Sequence, residues 1–175
     1  ESKIKELGRD IVNKNGLIKT TKEIQQSKLF LGSMNFFMYN PKTKATLPFY
    51  DRFPLTFVFG VTKTGFIGIN FHYLPIPFRI RLYERLWVIA KNSTRNVGQQ
   101  VFRLNWELLR NFSKFPEVKP CVKQYLFTHV QSRFIRIPIR DWKSALMLPN
   151  EEFMKVNSNI VQRLSVTNMV RRDSS

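Results

Sequence analysis

The first half of the chain alternates on a short period, and the second half carries longer helical spacings. Three apolar segments of strand length, Met34–Tyr39, Leu55–Val61 and Phe66–Phe71, are bounded by turn residues. Between the first two lies a turn at Asn40–Lys44, with Pro41 at its favoured second position. The Pro-bounded stretch Pro48–Pro54 follows, in which aromatic neighbours would position Asp51 and Arg52. Lys63-Thr64-Gly65 turns the chain into the third strand, where Gly68 marks a bulge or a close backbone approach. The pattern predicts a small antiparallel sheet whose many aromatic residues fill a core on both faces.

Helical spacing begins after Pro77, a residue suited to a first helical turn. Over residues 78–91, Phe78, Leu82, Leu86 and Ile89 make an apolar stripe that Tyr83 and Trp87 widen, and Arg81 and Arg85 share a face. A second helix is expected over residues 97–112, with Val101, Leu104, Leu108 and Phe112 in register. A third is expected from Pro116 to Val130, with Val118, Cys121, Val122, Tyr125 and Leu126 inward and Lys119 and Lys123 solvated. Phe134–Ile139 alternates as a strand, which Pro138 assigns to a sheet edge. A last short helix, residues 140–148, has Asp141 as its expected N-cap.

The ends are more polar. Residues 1–33 read as an arm with two weak helical segments, one of them at residues 21–30, and residues 150–175 as a polar extension. The expectation is one α+β domain over residues 34–149: a small, strongly twisted antiparallel sheet or partial barrel flanked by about three helices, with N- and C-terminal arms. The polar start predicts no signal peptide at this end, and the absence of a first Met points to processing or a longer chain. No apolar run approaches the roughly 18–20 residues that span a bilayer.

Charge changes the picture more than composition does. Apolar residues are 43% of the 175, an ordinary share, but the formal net charge is +17. Most of the excess falls within residues 76–150, so it belongs to the body and not to a tail. Such a balance speaks of partners, first of all nucleic acid, and only secondarily of a membrane surface. Cys121 is the single cysteine, which excludes an internal disulfide and suits a reducing cytoplasm or a particle assembled in one.

Catalytic chemistry finds little footing. His72 and His129 are the only histidines, and neither has a ligand at metal spacing, so no metal or cofactor is expected. His72, between Phe71 and Tyr73, reads as a structural histidine, and Cys121 as a buried thiol. No Gly-rich phosphate loop exists among the 7 glycines. A nuclease needs clustered carboxylates to hold cations. Glu117-Val118-Lys119 offers a loose E-x-K, but no acid stands suitably upstream of it, and the 12 acids are scattered.

What remains is basic. Arg79, Arg81, Arg85, Arg95, Arg103, Arg110, Arg133, Arg136 and Arg140, with Lys119 and Lys123, are the candidate nucleic-acid-binding residues. Arginine's planar fork matches phosphate oxygens. The competing reading has these side chains solvated, or set against an acidic protein.

Four segments in order, "FMYNPKTKATLPFYDRFPLTFVF", "GFIGINFHYLP", "FSKFPEVKPCVKQYLFTHVQSRFIRI" and "WKSALMLPNEEFMK", resemble the DNA end protector family of T-even-like contractile-tailed phages. The likeness spans roughly residues 34–156. Asp51-Arg52 and His72-Tyr73-Leu74 match its pattern, and Tyr50, Asp51, Arg52, His72 and Tyr73 form its motif loop. Phe49 stands where the family has Tyr, an acidic insert near Lys63 is missing, and "VRRDSS" echoes a basic C-terminus. The resemblance implies a non-enzymatic virion protein, assembled in the host cytoplasm. It would bind the ends of packaged double-stranded DNA and meet other head, neck or tail proteins. The alternatives are a structural connector of the neck or baseplate that contacts acidic protein, and a general nucleic-acid-binding protein.

Overall fold

The computed structural model describes residues 25–26, 29, 32–93 and 115–173. Its main sheet has six antiparallel strands: β1 (Gln25–Gln26), β2 (Met34–Phe36), β4 (Leu55–Val61), β5 (Gly65–Asn70), β6 (Val122–Leu126) and β7 (Phe134–Ile137), ordered β1-β7-β2-β4-β5-β6. A separate two-stranded ribbon pairs β3 (Tyr50–Asp51) with β8 (Phe153–Met154). Among the described residues three α-helices accompany them: α1 (Ile76–Ser93), α2 (Trp142–Leu146) and α3 (Ser158–Asp173). The architecture is the α+β class read from the pattern. The expected helix over residues 97–112 lies outside the described residues.

Strand alternation sends side chains to two faces, and each face has its own core. One face carries Met34, Phe36, Leu55, Phe57, Ile69, Ile135 and Ile137, covered by Leu82 and Leu86 of α1, Trp142 and Leu146 of α2, and Val161 and Met169 of α3. The other holds Phe37, Tyr39, Val58, Phe66, Tyr125 and Phe134. Here the rings meet edge to face: Phe37 and Tyr125 at 5.1 Å between centroids, Tyr39 and Tyr125 at 4.8 Å. Phe134 of β7 and Phe66 of β5 are 5.5 Å apart. In a flat sheet, strands three places apart would hold them at roughly 14 Å. The sheet therefore curls around this aromatic cluster. The bond from Asn40 N–H to His129 O (3.1 Å) and the antiparallel bridge Tyr39–Val130 tie the chain after β2 to the chain after β6.

Gly68 is the predicted close approach. A Cβ there would lie 2.2 Å from Thr56 Cγ2 and 2.8 Å from the Phe57 carbonyl oxygen. Gly65 is equally constrained, because its Cβ would meet the Tyr125 carbonyl oxygen at 2.0 Å.

Four expectations need correction. The third helix does not form: Pro116–Cys121 is a 3-10 turn, Val122–Leu126 is β6, and Phe127–His129 is another 3-10 turn. Pro120 lacks the N–H that an α-helix needs there, and β5 offers an edge that Val122 and Tyr125 suit. Val122 is consequently exposed, not inward. Strand β7 is no edge, since β1 and β2 flank it; Pro138 falls one residue past its end and removes no ladder bond. Gln25 and Gln26, placed by pattern in a weak helix, pair with Ile135 and Phe134. Finally, residues 153–173 form β8 and α3 and pack onto the body. Asn157 Oδ1 accepts the Asn159 N–H at 2.8 Å and so caps α3.

Asp141 does stand at the N-cap position of α2, but its side chain makes no capping bond.

Candidate functional site

The motif residues make an interior hub and not a surface loop. Asp51 on β3 and His72, just past β5, are both buried, with His72 Nδ1 donating to Asp51 Oδ2 at 2.7 Å. Asn70 Nδ2 donates to the same carboxylate oxygen at 3.0 Å, and the Phe53 N–H donates to Asp51 Oδ1 at 3.0 Å. On its other side His72 Nε2 lies 3.1 Å from Asn150 Oδ1. Burial alone would raise the Asp51 pKa. The charge of His72 and the bonds from His72, Asn70 and Phe53 together outweigh it and hold the carboxyl below the usual aspartate range.

A second ion pair, with its arginine fully buried, adjoins the first. Arg79 on α1 is 0% exposed. Its Nε donates to the Leu74 carbonyl at 2.7 Å and its Nη1 to the Leu148 carbonyl at 3.3 Å. Its Nη2 lies 3.1 Å from Glu151 Oε2 as an ion pair outside hydrogen-bond geometry. Burial lowers the guanidinium's pKa, and Glu151 opposes that shift. Gln162 of α3 donates to Glu151 Oε1 at 3.0 Å and to the His72 carbonyl at 3.3 Å. This hub joins β3, the end of β5, α1, residues 150–152 and α3. Burial drives the Cys121 thiol and the Tyr73 hydroxyl upward, so neither offers an anion near neutral pH.

The candidate basic residues separate into three groups. Arg79 is structural, because it is buried, bonded to two backbone carbonyls and ion-paired with Glu151. Arg85 Nη1 donates to both oxygens of the Glu117 carboxylate, at 2.9 and 3.0 Å, and its guanidinium lies over the Phe115 ring at 5.0 Å. Lys123 is half-buried, its Nζ 4.0 Å above the Tyr73 ring, and burial lowers its pKa. Arg81, Lys119, Arg133, Arg136 and Arg140 are exposed. Arg133, Arg136 and Arg140 follow one another along β7 and the turn into α2. A Lys143–Glu84 ion pair at 3.5 Å ties α2 to α1, where Arg81 stands one turn before Glu84. Arg95, Arg103 and Arg110 lie outside the described residues. Tyr50 and Arg52 flank the buried Asp51, and Arg52 lies 3.9 Å from Glu152.

Sequence reasoning did not find Asn150, Glu151 and Gln162, the partners that complete the hub. Their signal was two adjacent acids, Glu151 and Glu152, in a chain otherwise poor in them. Among the described residues no cluster of three or more His, Cys, Asp or Glu side chains could hold a metal ion, and no helix is long and apolar enough to cross a membrane.

A curled α+β body with a buried ionic hub and most of its described basic side chains at the surface defines a small, basic class of protein. Residues 9–168 match the family described as phage T4 terminal DNA protecting protein, and the chain belongs to that family. No curated protein and no solved structure matches it.

Proposed function

We propose that the protein binds the ends of linear double-stranded DNA in the phage particle and shields them without catalysing a reaction. Family membership supports a DNA terminus as the partner, and one structural observation supports a way of holding it. Six acidic side chains, Asp51, Glu84, Glu117, Asp141, Glu151 and Glu152, each have a basic partner within 4.0 Å. These pairings leave some of the described cations in surplus. Arg81, Lys119 and Arg133 have no acidic partner among the described residues, and Arg140, 85% exposed on its side chain, reaches Asp141 only at 3.7 Å. Surplus cations on one exterior neutralise phosphate without reading sequence.

The reading is tested with linear and closed circular duplexes of one sequence. Linear DNA should bind more tightly, resist an added exonuclease, and lose affinity steeply as salt rises. Equal affinity for the circle, or a flat salt dependence, overturns it. A neighbouring virion protein is the second reading, favoured by Ile160, Leu164 and Val170, which stand exposed on α3. Assembly in the host cytoplasm and residence in the virion belong to the same proposal.

A further inference from the structure

Lys155 is the one non-glycine among the described residues with positive φ, at 72°. L side chains rarely adopt that conformation, and something must hold this one there. Its ammonium supplies the reason. Nζ donates to the Lys44 carbonyl at 2.6 Å, the Ala45 carbonyl at 3.3 Å and the Leu47 carbonyl at 2.6 Å. An ammonium has three donors, and all three are used.

The acceptors belong to a tight turn that opens with Lys44 N–H on the Pro41 carbonyl and closes with Thr46 and Leu47 N–H both on the Thr43 carbonyl. As at a helix C-terminus, its last carbonyls are left over and point the same way. Ala45 and Leu47 offer only neutral oxygens. The nearest acid along the chain, Glu152, is paired with Arg52. Calcium and magnesium need carboxylates. Neutral carbonyls in a ring instead replace the hydration shell of a large monovalent ion.

We propose that the carbonyls of Lys44, Ala45 and Leu47 form a monovalent-cation site that Lys155 fills from within the chain, latching the β8–α3 junction to the 41–47 turn. When the side chain is removed or its charge is acylated, potassium or ammonium takes the same place. The proposal is independent of DNA binding, and it withdraws Lys155 from the cations available to a partner.

Lys155→Ala and Lys155→Gly test it, the second relieving the backbone strain while also removing the ammonium. Melting temperatures are compared in potassium, ammonium, lithium and N-methylglucamine chlorides at one ionic strength. Lys155→Ala should melt about 3–6 °C below the natural protein in N-methylglucamine, of the order expected for losing a multiple hydrogen-bonded contact in a chain of this size. Potassium and ammonium should restore part of that loss, and lithium should not. Lys155→Gly should melt above Lys155→Ala and keep the same ion ranking, while the natural protein shows none. An undiminished melting temperature for Lys155→Ala, or the same response of both variants to all four salts, overturns the site. Amine labelling followed by mass spectrometry gives a second readout: Lys155 should react more slowly than the exposed Lys119, and equal rates also overturn it.

Discussion

His72 and Asp51 meet at 2.7 Å where neither is open to solvent, and the carboxylate so held joins β3, the end of β5 and residues 150–152. The folded state favours ionised Asp51, because its pKa lies below the ordinary value. The stability this brings is fully present above the unfolded aspartate pKa of about 3.9 and is lost as pH falls through the lower folded value. Asp51→Asn should cost about 3–5 kcal/mol at neutral pH, the loss typical of removing one partner of a buried pair. Urea unfolding from pH 7 down to pH 2 should show the gap between the two proteins narrowing below about pH 4. A gap of constant size across that range would contradict the account.

Arg79 and Arg81 stand two positions apart and should behave oppositely. Arg79→Gln removes the buried partner of the half-buried Glu151 and should destabilise the protein by about 3–5 kcal/mol. Arg81, exposed over the Phe78 ring at 5.0 Å, should cost about 0.5 kcal/mol or less when changed to Gln. Calorimetric melting of the two variants checks the contrast. Arg85→Gln belongs with Arg79, since it strands Glu117, which is 5% exposed. Its expected cost is about 1–3 kcal/mol.

DNA affinity should depend on the Arg133 and Arg140 pair. Changing both to Gln should leave melting unaltered and reduce the slope of log affinity against log salt by about two units. An unchanged slope would move the charge to the protein-contact reading.

Gly68→Ala should destabilise by about 1–3 kcal/mol, the usual cost of forcing atoms into a filled interior. Gly60, where a Cβ would find nothing nearer than Ile67 Cβ at 3.7 Å, is the control and should tolerate Ala with far less loss. Denaturant midpoints of the two variants decide it.

The strands around "LTFVFGV" and "GFIGIN" were legible because burial and β-branching coincide there, and the helix after Pro77 because its stripe is unbroken. The segment Pro116–Val130 was misread. Val118, Cys121 and Tyr125 do fall at helical intervals, but Val118 and Cys121 are buried from a 3-10 turn and Tyr125 from a strand joining an existing edge, a tertiary choice that no local pattern records. Helix α3 was missed for the reverse reason. Only Val161, Gln162, Ser165 and Met169 are buried, two of them polar, while Ile160, Leu164 and Val170 face outward. Arg79 illustrates the limit on reading charge: by composition it is indistinguishable from Arg81. Only the backbone carbonyls of Leu74 and Leu148 reveal that it serves the interior.

The hub also sets a timetable. The Glu152 N–H that meets Asp51 Oδ1 at 3.3 Å is 101 positions further along the chain. At a synthesis rate of about 5–20 residues per second, Asp51 waits roughly 5–20 s for that partner to be made. Until then its carboxylate, His72 and Arg79 have no complete set of contacts, and the sheet cannot close over them. A polypeptide ended by a premature stop before Asn150 is thus not a protector lacking a tail. It is a chain whose centre lacks the contacts made by Asn150, Glu151, Glu152 and Gln162, open to the fate of any incompletely folded polypeptide.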